Sequence, residues 1–264
     1  MPMDQTRQLV AAERQGSTAW LTLQRPEAAN ALSRALVANL RVELASLRAD
    51  PSLTAVVLAG VEGKAFCAGA DLKERLAMTL EQTRTFLDEL GALVNAIADF
   101  PRPVIAAISG AALGGGLEIA LACDFRVADV TASLGLAEVR LGIIPGAGGT
   151  QRLSRLCGLA AAKELVLTGR RIDAERALAL GLLSRVVPVG ALREAVMAMA
   201  AEFATAGPLA LAEAKWAVTR GFDLPIDQAL ELERQCYEVV LGSEDRNEGL
   251  HAFSEKRPPR FSGK

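Results

Sequence analysis

A chain of 264 residues with 51% hydrophobic and 23% charged side chains has the composition of a globular protein with a true core, and at this length it needs no disulfide or metal staple. Lys and Arg number 29 against 31 Asp and Glu, a net charge of -2, so the basic excess of a general nucleic-acid binder is missing, although a small basic pocket for one phosphorylated ligand is compatible with it. The single histidine, His251, makes zinc sites, Ser-His-Asp triads and His-centred acid–base chemistry poor fits, which leaves carboxylates, backbone amides or a borrowed cofactor to carry any reaction.

The opening stretch, MPMDQTRQLVAAERQG, has neither a signal-peptide core nor an Arg-rich transit pattern. Cys67, Cys123, Cys157 and Cys236 are widely spaced with no CxxC pair, the pattern of reduced and mostly buried thiols in a cytoplasm-like compartment. Residues 18–24 (TAWLTLQ) alternate as a strand. RPEAANALS follows as a loop, with Ser33 as a helix cap and Leu36, Leu40, Leu44 and Leu47 as a helical stripe ending near Asp50-Pro51. Residues 54–60 (TAVVLAG) read as a strand and VEGKAFCAGADL as a loop. A Thr79-x-x-Gln82 capping box opens a second long helix with Phe86, Leu87, Leu90, Leu93, Val94 and Ile97 on one face. Strands are expected at 103–110, within 125–136 and at 182–188, and strands separated by helices predict an α/β sheet. Beyond Pro188 the pattern turns helical, at 191–206, 208–220, 226–241 and 243–254. The chain therefore divides into a core over 1–190 and a helical region over 191–264.

The apolar run 103–123, PVIAAISGAALGGGLEIALAC, is long enough for a bilayer. Its glycines and Glu118 favour a buried strand, a glycine turn and a buried helix instead. Three consecutive glycines are costly inside a helix but suit a helix start, where unsatisfied N–H groups can cradle an oxyanion or a phosphate. A close helix–strand crossing is the alternative. Glu118 sits on a helix that is apolar nearly all round, so burial should raise its pKa, unless it lies at an exposed edge or meets a distant arginine. Glu138 follows a strand and precedes the turn IIPGAGGT, with Arg140 and Arg152 as ordinary salt-bridge alternatives. That turn lacks the Lys of a P-loop and the last glycine of GxGxxG, which removes nucleotide hydrolysis and dinucleotide binding. In KAFCAGADLKER, the loop of small residues around Gly69 can present a second backbone N–H to the same ligand oxygen, and Lys73 can face an anionic group. The plainer reading is a surface helix capped by Asp71.

Taken together, RPEAANALS, KAFCAGADLKE, PVIAAISGAALGGGLEIALACD, GLAEVRLGIIPGAGGTQRL and FSEKRPPRF resemble the crotonase, or enoyl-CoA hydratase/isomerase, superfamily over nearly the whole chain. The resemblance implies an α/β fold, the crotonase-type spiral of ββα units, with a C-terminal helical trimerisation region and a homotrimer or homohexamer as the assembly. By position it assigns the Ala70 and Gly115 amides to an oxyanion hole and Glu118 and Glu138 to the two acids of the hydratases. Ala29, Ala68, Asp71, Leu72 and Lys73 match the stretch along a bound coenzyme A, and Phe253 and Lys256 match C-terminal residues that reach a coenzyme A, often a neighbouring subunit's. No cofactor is implied beyond the coenzyme A of the substrate.

The implied reaction adds water across an α,β-unsaturated thioester, the two amides stabilising the enolate oxygen. Glu118 is read mainly as base toward the water and Glu138 as acid toward the α-carbon, with the two labels exchangeable. Several stretches look closest to the methylglutaconyl-CoA hydratases, a branch that includes an RNA-binding relative with a lysine-lined helix. Here that helix carries Arg34 but Ala38 and Val42, which weighs against nucleic acid as a partner. A double-bond isomerase working with one carboxylate, and a noncatalytic or RNA-binding protein of the same fold, are the other readings.

Overall fold

The computed structural model describes residues 8–264; the first seven residues of the stretch read above for targeting signals lie outside them. An antiparallel hairpin, β1 (Val10–Gln15) and β2 (Thr18–Leu23), opens the chain. Helix α1 (Arg34–Arg48) follows, its Leu36 N–H donating to the Ser33 hydroxyl as expected. Next come β3 (Ala55–Gly60), α2 (Leu72–Leu76) and α3 (Leu80–Ala98). The α3 capping box forms in both directions between Thr79 and Gln82. The apolar run then resolves into β4 (Val104–Ile108), β5 (Ala111–Leu113) and α4 (Gly115–Ala122). It is followed by β6 (Phe125–Asp129), β7 (Ser133–Gly135) and α5 (Gly149–Thr168). The chain closes with β8 (Ile172–Asp173), α6 (Ala174–Ala179), β9 (Arg185–Val187), α7 (Leu192–Phe203), α8 (Pro208–Gly221), α9 (Ile226–Leu241) and α10 (Glu244–Ser254).

The strands make two sheets. The larger has the order β1-β2-β3-β4-β6-β9, parallel from β2 onward. The smaller has the order β5-β7-β8 and is extended by single bridges, Cys67 to Ala112 and Leu32 to Ala70. Each turn of the chain thus lays one strand in the large sheet and one short segment in the small one: β3 then 66–70, β4 then β5, β6 then β7. That repetition is the expected spiral.

Side-chain alternation explains why both faces of the large sheet are dry. Val56, Leu58, Val104, Ala106 and Ile108 point into the main core with α1, α3 and α4. Ala55, Val57, Ile105 and Ala107 point the other way, onto Val196, Met199 and Ala200 of α7. Helix α7, on the C-terminal side of the boundary expected near residue 190, therefore packs against the sheet. Helices α8–α10 extend beyond it. They are tied back by Lys215 to Asp124 at 2.7 Å and by Arg220 to Asp99 at 2.7 Å. Asp245 of α10 gathers the tail, accepting from the amides of Ser262 and Gly263. No strand occurs after residue 190, as expected. Among the described residues no single helix is long and apolar enough to cross a membrane.

One element differs from expectation. Residues 125–136 are two strands in two sheets, because the chain turns at 130–132 where the Asp129 carboxylate accepts from the Thr131 amide. Five elements have no counterpart in the sequence reading: β1, β5, β8, α5 and α6.

Candidate active site

The core of the site is where segment 66–70 lies against the start of α4. Cys67 donates to Ala111 O and accepts from Leu113 N, so the segment runs as an extra strand beside β5. Gly116 is what lets α4 begin there: a Cβ on it would stand 2.3 Å from the Cys67 carbonyl oxygen. The close crossing named as the alternative is therefore present. A Cβ on Gly115 would lie 3.9 Å from the Ala70 nitrogen, which brings the two expected hole donors side by side. Among the described residues no acceptor takes the N–H of Ala70 or of Gly115, and Gly115, in the first turn of α4, has no intrahelical one.

Glu118, one turn into α4, is 3% exposed. Its Oε1 accepts from Ala147 N at 2.7 Å and Gly149 N at 2.8 Å. The GAGGT turn does bind an anion with its amides, but the anion is the chain's own carboxylate. Burial raises the Glu118 pKa, opposed by those two amides and by the charge of Arg152. Glu138 opens a 3-10 turn, Glu138–Leu141, after β7. Its Oε1 would touch a Cβ at Gly114 at 3.1 Å, which sets the carboxyl at the mouth of α4. Its Oε2 is buried without a hydrogen-bond partner. Burial raises the Glu138 pKa, and the Glu118 charge raises it further. The two acids therefore converge, and neither salt-bridge alternative forms: Arg140 donates to Thr168 O, while Arg152 donates to Ala147 O and Asn95 Oδ1.

Four groups from three turns of the spiral thus meet: two free amides, one carboxylate fixed by two N–H donors, and one carboxyl with an unpartnered oxygen. This set can polarise a carbonyl oxygen while acids and bases act on its neighbouring carbons. A sequence profile of the enoyl-CoA hydratase/isomerase family matches residues 13–264. The chain is an enzyme of the enoyl-CoA hydratase/isomerase family. It is 44% identical over 252 residues to an enoyl-CoA isomerase/hydratase of Mycosarcoma maydis, covering 92% of each chain. It is 43% identical over 248 residues to the mitochondrial methylglutaconyl-CoA hydratase of Homo sapiens, covering 92% of this chain and 73% of the relative. Among solved structures, an enoyl-CoA hydratase from Bacillus anthracis superposes with a TM-score of 0.95 at 46% identity, over 97% of this chain and all (100%) of that one. The spiral described above is accordingly the crotonase fold.

The remaining expected residues fall into two groups. Ala29 accepts from Ala68 N at 2.9 Å, so these two lie side by side. Leu72 and Lys73 are exposed at the start of α2. The Asp71 carboxylate is spent inside the chain: Oδ1 caps α2 through Lys73 N and Glu74 N, and Oδ2 pairs with Arg25 at 2.9 Å. Burial pushes the Asp71 pKa up, but Arg25 and the cap amides outweigh it and the net shift is downward. The capping role therefore holds for Asp71. Phe253, 86% exposed on α10, and Lys256, exposed just beyond its end, form no hydrogen bond with the other site residues.

Sequence reasoning missed the groups that shape segment 66–70. Asn30, fully buried, accepts from Arg25 N and donates to Ala65 O, both at 2.8 Å. Arg25 donates to Ala31 O and Asp71. Their only signal was a polar Asn inside RPEAANALS, at a φ of 53° that Asn tolerates better than most residues. Leu87 reaches the turn beside Glu118, its Cδ2 lying 2.9 Å from where a Gly146 Cβ would be.

Proposed function

We propose that this enzyme is an enoyl-CoA hydratase that adds water reversibly across the α,β double bond of a short or branched enoyl-CoA, with 3-methylglutaconyl-CoA as the branched candidate. The observation that carries the reading is the pairing of one buried and one half-buried carboxyl with two unspent amides. The thioester oxygen accepts from the Ala70 and Gly115 N–H groups, and each such donor is typically worth about 3 kcal/mol to a developing oxyanion. One water lies between Glu118 and Glu138. Its oxygen bonds to the β-carbon as Glu118 takes its proton, the double-bond electrons move onto the thioester oxygen, and Glu138 delivers a proton to the α-carbon. The hydrogen bonds support this division of labour. Two N–H donors favour the charged form of Glu118. The unpartnered Oε2 of Glu138, facing a second negative charge, favours the protonated form. The coenzyme A would run along Ala29, Ala68 and residues 71–73, and Phe253 and Lys256 would meet it from a neighbouring subunit.

A homotrimer or a dimer of trimers is the assembly we propose, with α8–α10 in the contacts. Val218, Phe222, Ile226, Leu230 and Phe253 are all exposed there, large apolar side chains that a contact between subunits would cover. The name of the Mycosarcoma maydis relative, an isomerase/hydratase, favours double-bond isomerisation as the second reading. It needs one carboxyl to shuttle a proton.

The test is loss of the conjugated enoyl-thioester absorbance on crotonyl-CoA and 3-methylglutaconyl-CoA, with Glu138→Gln as control. Fast loss restricted to the branched substrate and abolished by the substitution assigns leucine-type branched hydration. Equal rates on crotonyl-CoA assign a general short-chain hydratase. Silence on both refutes the hydratase reading, and activity surviving Glu118→Gln on a 3-enoyl-CoA assigns isomerisation.

A further inference from the structure

We propose that Arg152 is a positioning residue for the reaction, acting through the turn 145–149 to hold Glu118, and that Asn95 orients Arg152. The inference rests on the role given to Glu118 above. Three successive peptide units of the turn alternate in direction. The N–H groups of Ala147 and Gly149 point at Glu118 Oε1, while the carbonyl between them, Ala147 O, points away and accepts from Arg152 Nη1 at 3.1 Å. The guanidinium lies close against that turn. A Cβ on Gly148 would stand 2.2 Å from Arg152 Nη1, and Gly148 adopts a φ of +96°. Its other nitrogen, Nη2, donates to Asn95 Oδ1 on α3 at 2.9 Å.

The result is a relay from a rigid helix through one guanidinium to the middle peptide, which fixes the two outer amides by covalent geometry. Freed of Arg152, the middle peptide can rotate, and the two donors no longer converge on one oxygen. The same residue places a positive charge near Glu118, where it favours the carboxylate. The charged groups around this pair are Glu138 facing Glu118, and Asp99 and Arg155 facing Arg152.

The experiment compares Arg152→Met, Arg152→Lys and Asn95→Ala with the wild type, each checked for Tm and assembly size. Arg152→Met should lower kcat roughly 10- to 100-fold, the scale of a misplaced catalytic group, with KM little changed and the acid limb of kcat moved to higher pH. Arg152→Lys keeps the charge without the fork, so it should restore the limb and recover only part of kcat. Asn95→Ala, at an exposed side chain, should lower kcat and leave the limb in place. A wild-type kcat in Arg152→Met or in Asn95→Ala overturns the proposal. So does a kcat loss whose limb stays put in Arg152→Met. Carbon-13 titration of glutamate carboxyls in the resting enzyme, with the Glu118 signal assigned by Glu118→Gln, requires no turnover. If the wild type hydrates neither thioester, the function reading fails by itself, and an unshifted Glu118 titration in Arg152→Met separately refutes the role of Arg152. Should Arg152→Met fail to fold, Arg152→Lys and Asn95→Ala carry the same test.

Discussion

Gly116→Ala probes the oxyanion hole without changing any group that belongs to it. By helix propensity alone the change should stabilise α4 by about 1 kcal/mol. The surroundings reverse that sign. The new methyl would sit 2.3 Å from the Cys67 carbonyl oxygen and 2.7 Å from its Cβ, whereas carbon and oxygen rest at about 3.3 Å or more. Segment 66–70 and α4 must then separate by about 1 Å, at an overpacking cost of about 1–3 kcal/mol. Ala70 is on one of these segments and Gly115 on the other. A donor at about 2.9 Å from the thioester oxygen would move to nearly 4 Å, where no hydrogen bond survives. Loss of one such donor corresponds to about 10²- to 10³-fold in kcat. The assay is the initial rate of enoyl-thioester hydration at saturating substrate, with thermal unfolding at the same protein concentration. A kcat within about threefold of wild type, a barrier change under 1 kcal/mol, would refute the argument that Gly116 sets the width of the hole.

Three other outcomes are expected. Because burial raises the Glu138 pKa, its ionisation costs folding stability, and wild type loses that stability as pH rises through the folded-state value; Glu138→Gln should therefore melt higher than wild type at pH 8, the gap closing in acid, and a lower Tm at pH 8 would contradict the assigned burial. Glu118→Ala leaves the Ala147 and Gly149 amides without an acceptor, at about 1–3 kcal/mol each, while Glu118→Gln keeps an acceptor oxygen; equal urea midpoints for the two variants would count against this. Lys215→Met removes the counter-charge of Asp124, to which Lys215 Nζ donates at 2.7 Å, and leaves that carboxylate the Val104 N–H as donor, so it should destabilise by about 1–3 kcal/mol and speed proteolysis near residues 204–207; unchanged cleavage would show that α8 is held by other contacts.

How much of this was readable in the chain depended on whether the determinant was local. The Ser33 cap, the Thr79 capping box and the short apolar runs of β3 and β4 are local patterns, and they folded as read. So did the inference that Glu118 is buried, since its helix has no polar face. β1 shows one buried side chain in six positions, so no alternation announces it. β5 is three residues inside an apolar run, and α5 is interrupted at Gly158, whose φ is +78°. The partners of Glu118 were legible only as the wrong kind of motif. A turn that failed every phosphate-loop pattern donates its amides to a carboxylate some thirty residues upstream, a pairing that the spiral creates and spacing does not encode. The four groups at the site were assigned by motif resemblance, and their convergence is a property of the two stacked sheets.

The oxyanion hole proposed at Ala70 and Gly115 consists of main chain alone, so no substitution of a catalytic side chain can delete it. The two carboxyls, by contrast, are ordinary side chains, and codon changes can retire either one while the carbonyl-polarising apparatus stays intact. Loss of an acid then leaves a scaffold that still stabilises an enolate and needs only a new way to move protons. Chemical diversification on such a frame proceeds by swapping what surrounds the enolate, with the part that generates it inherited through the backbone.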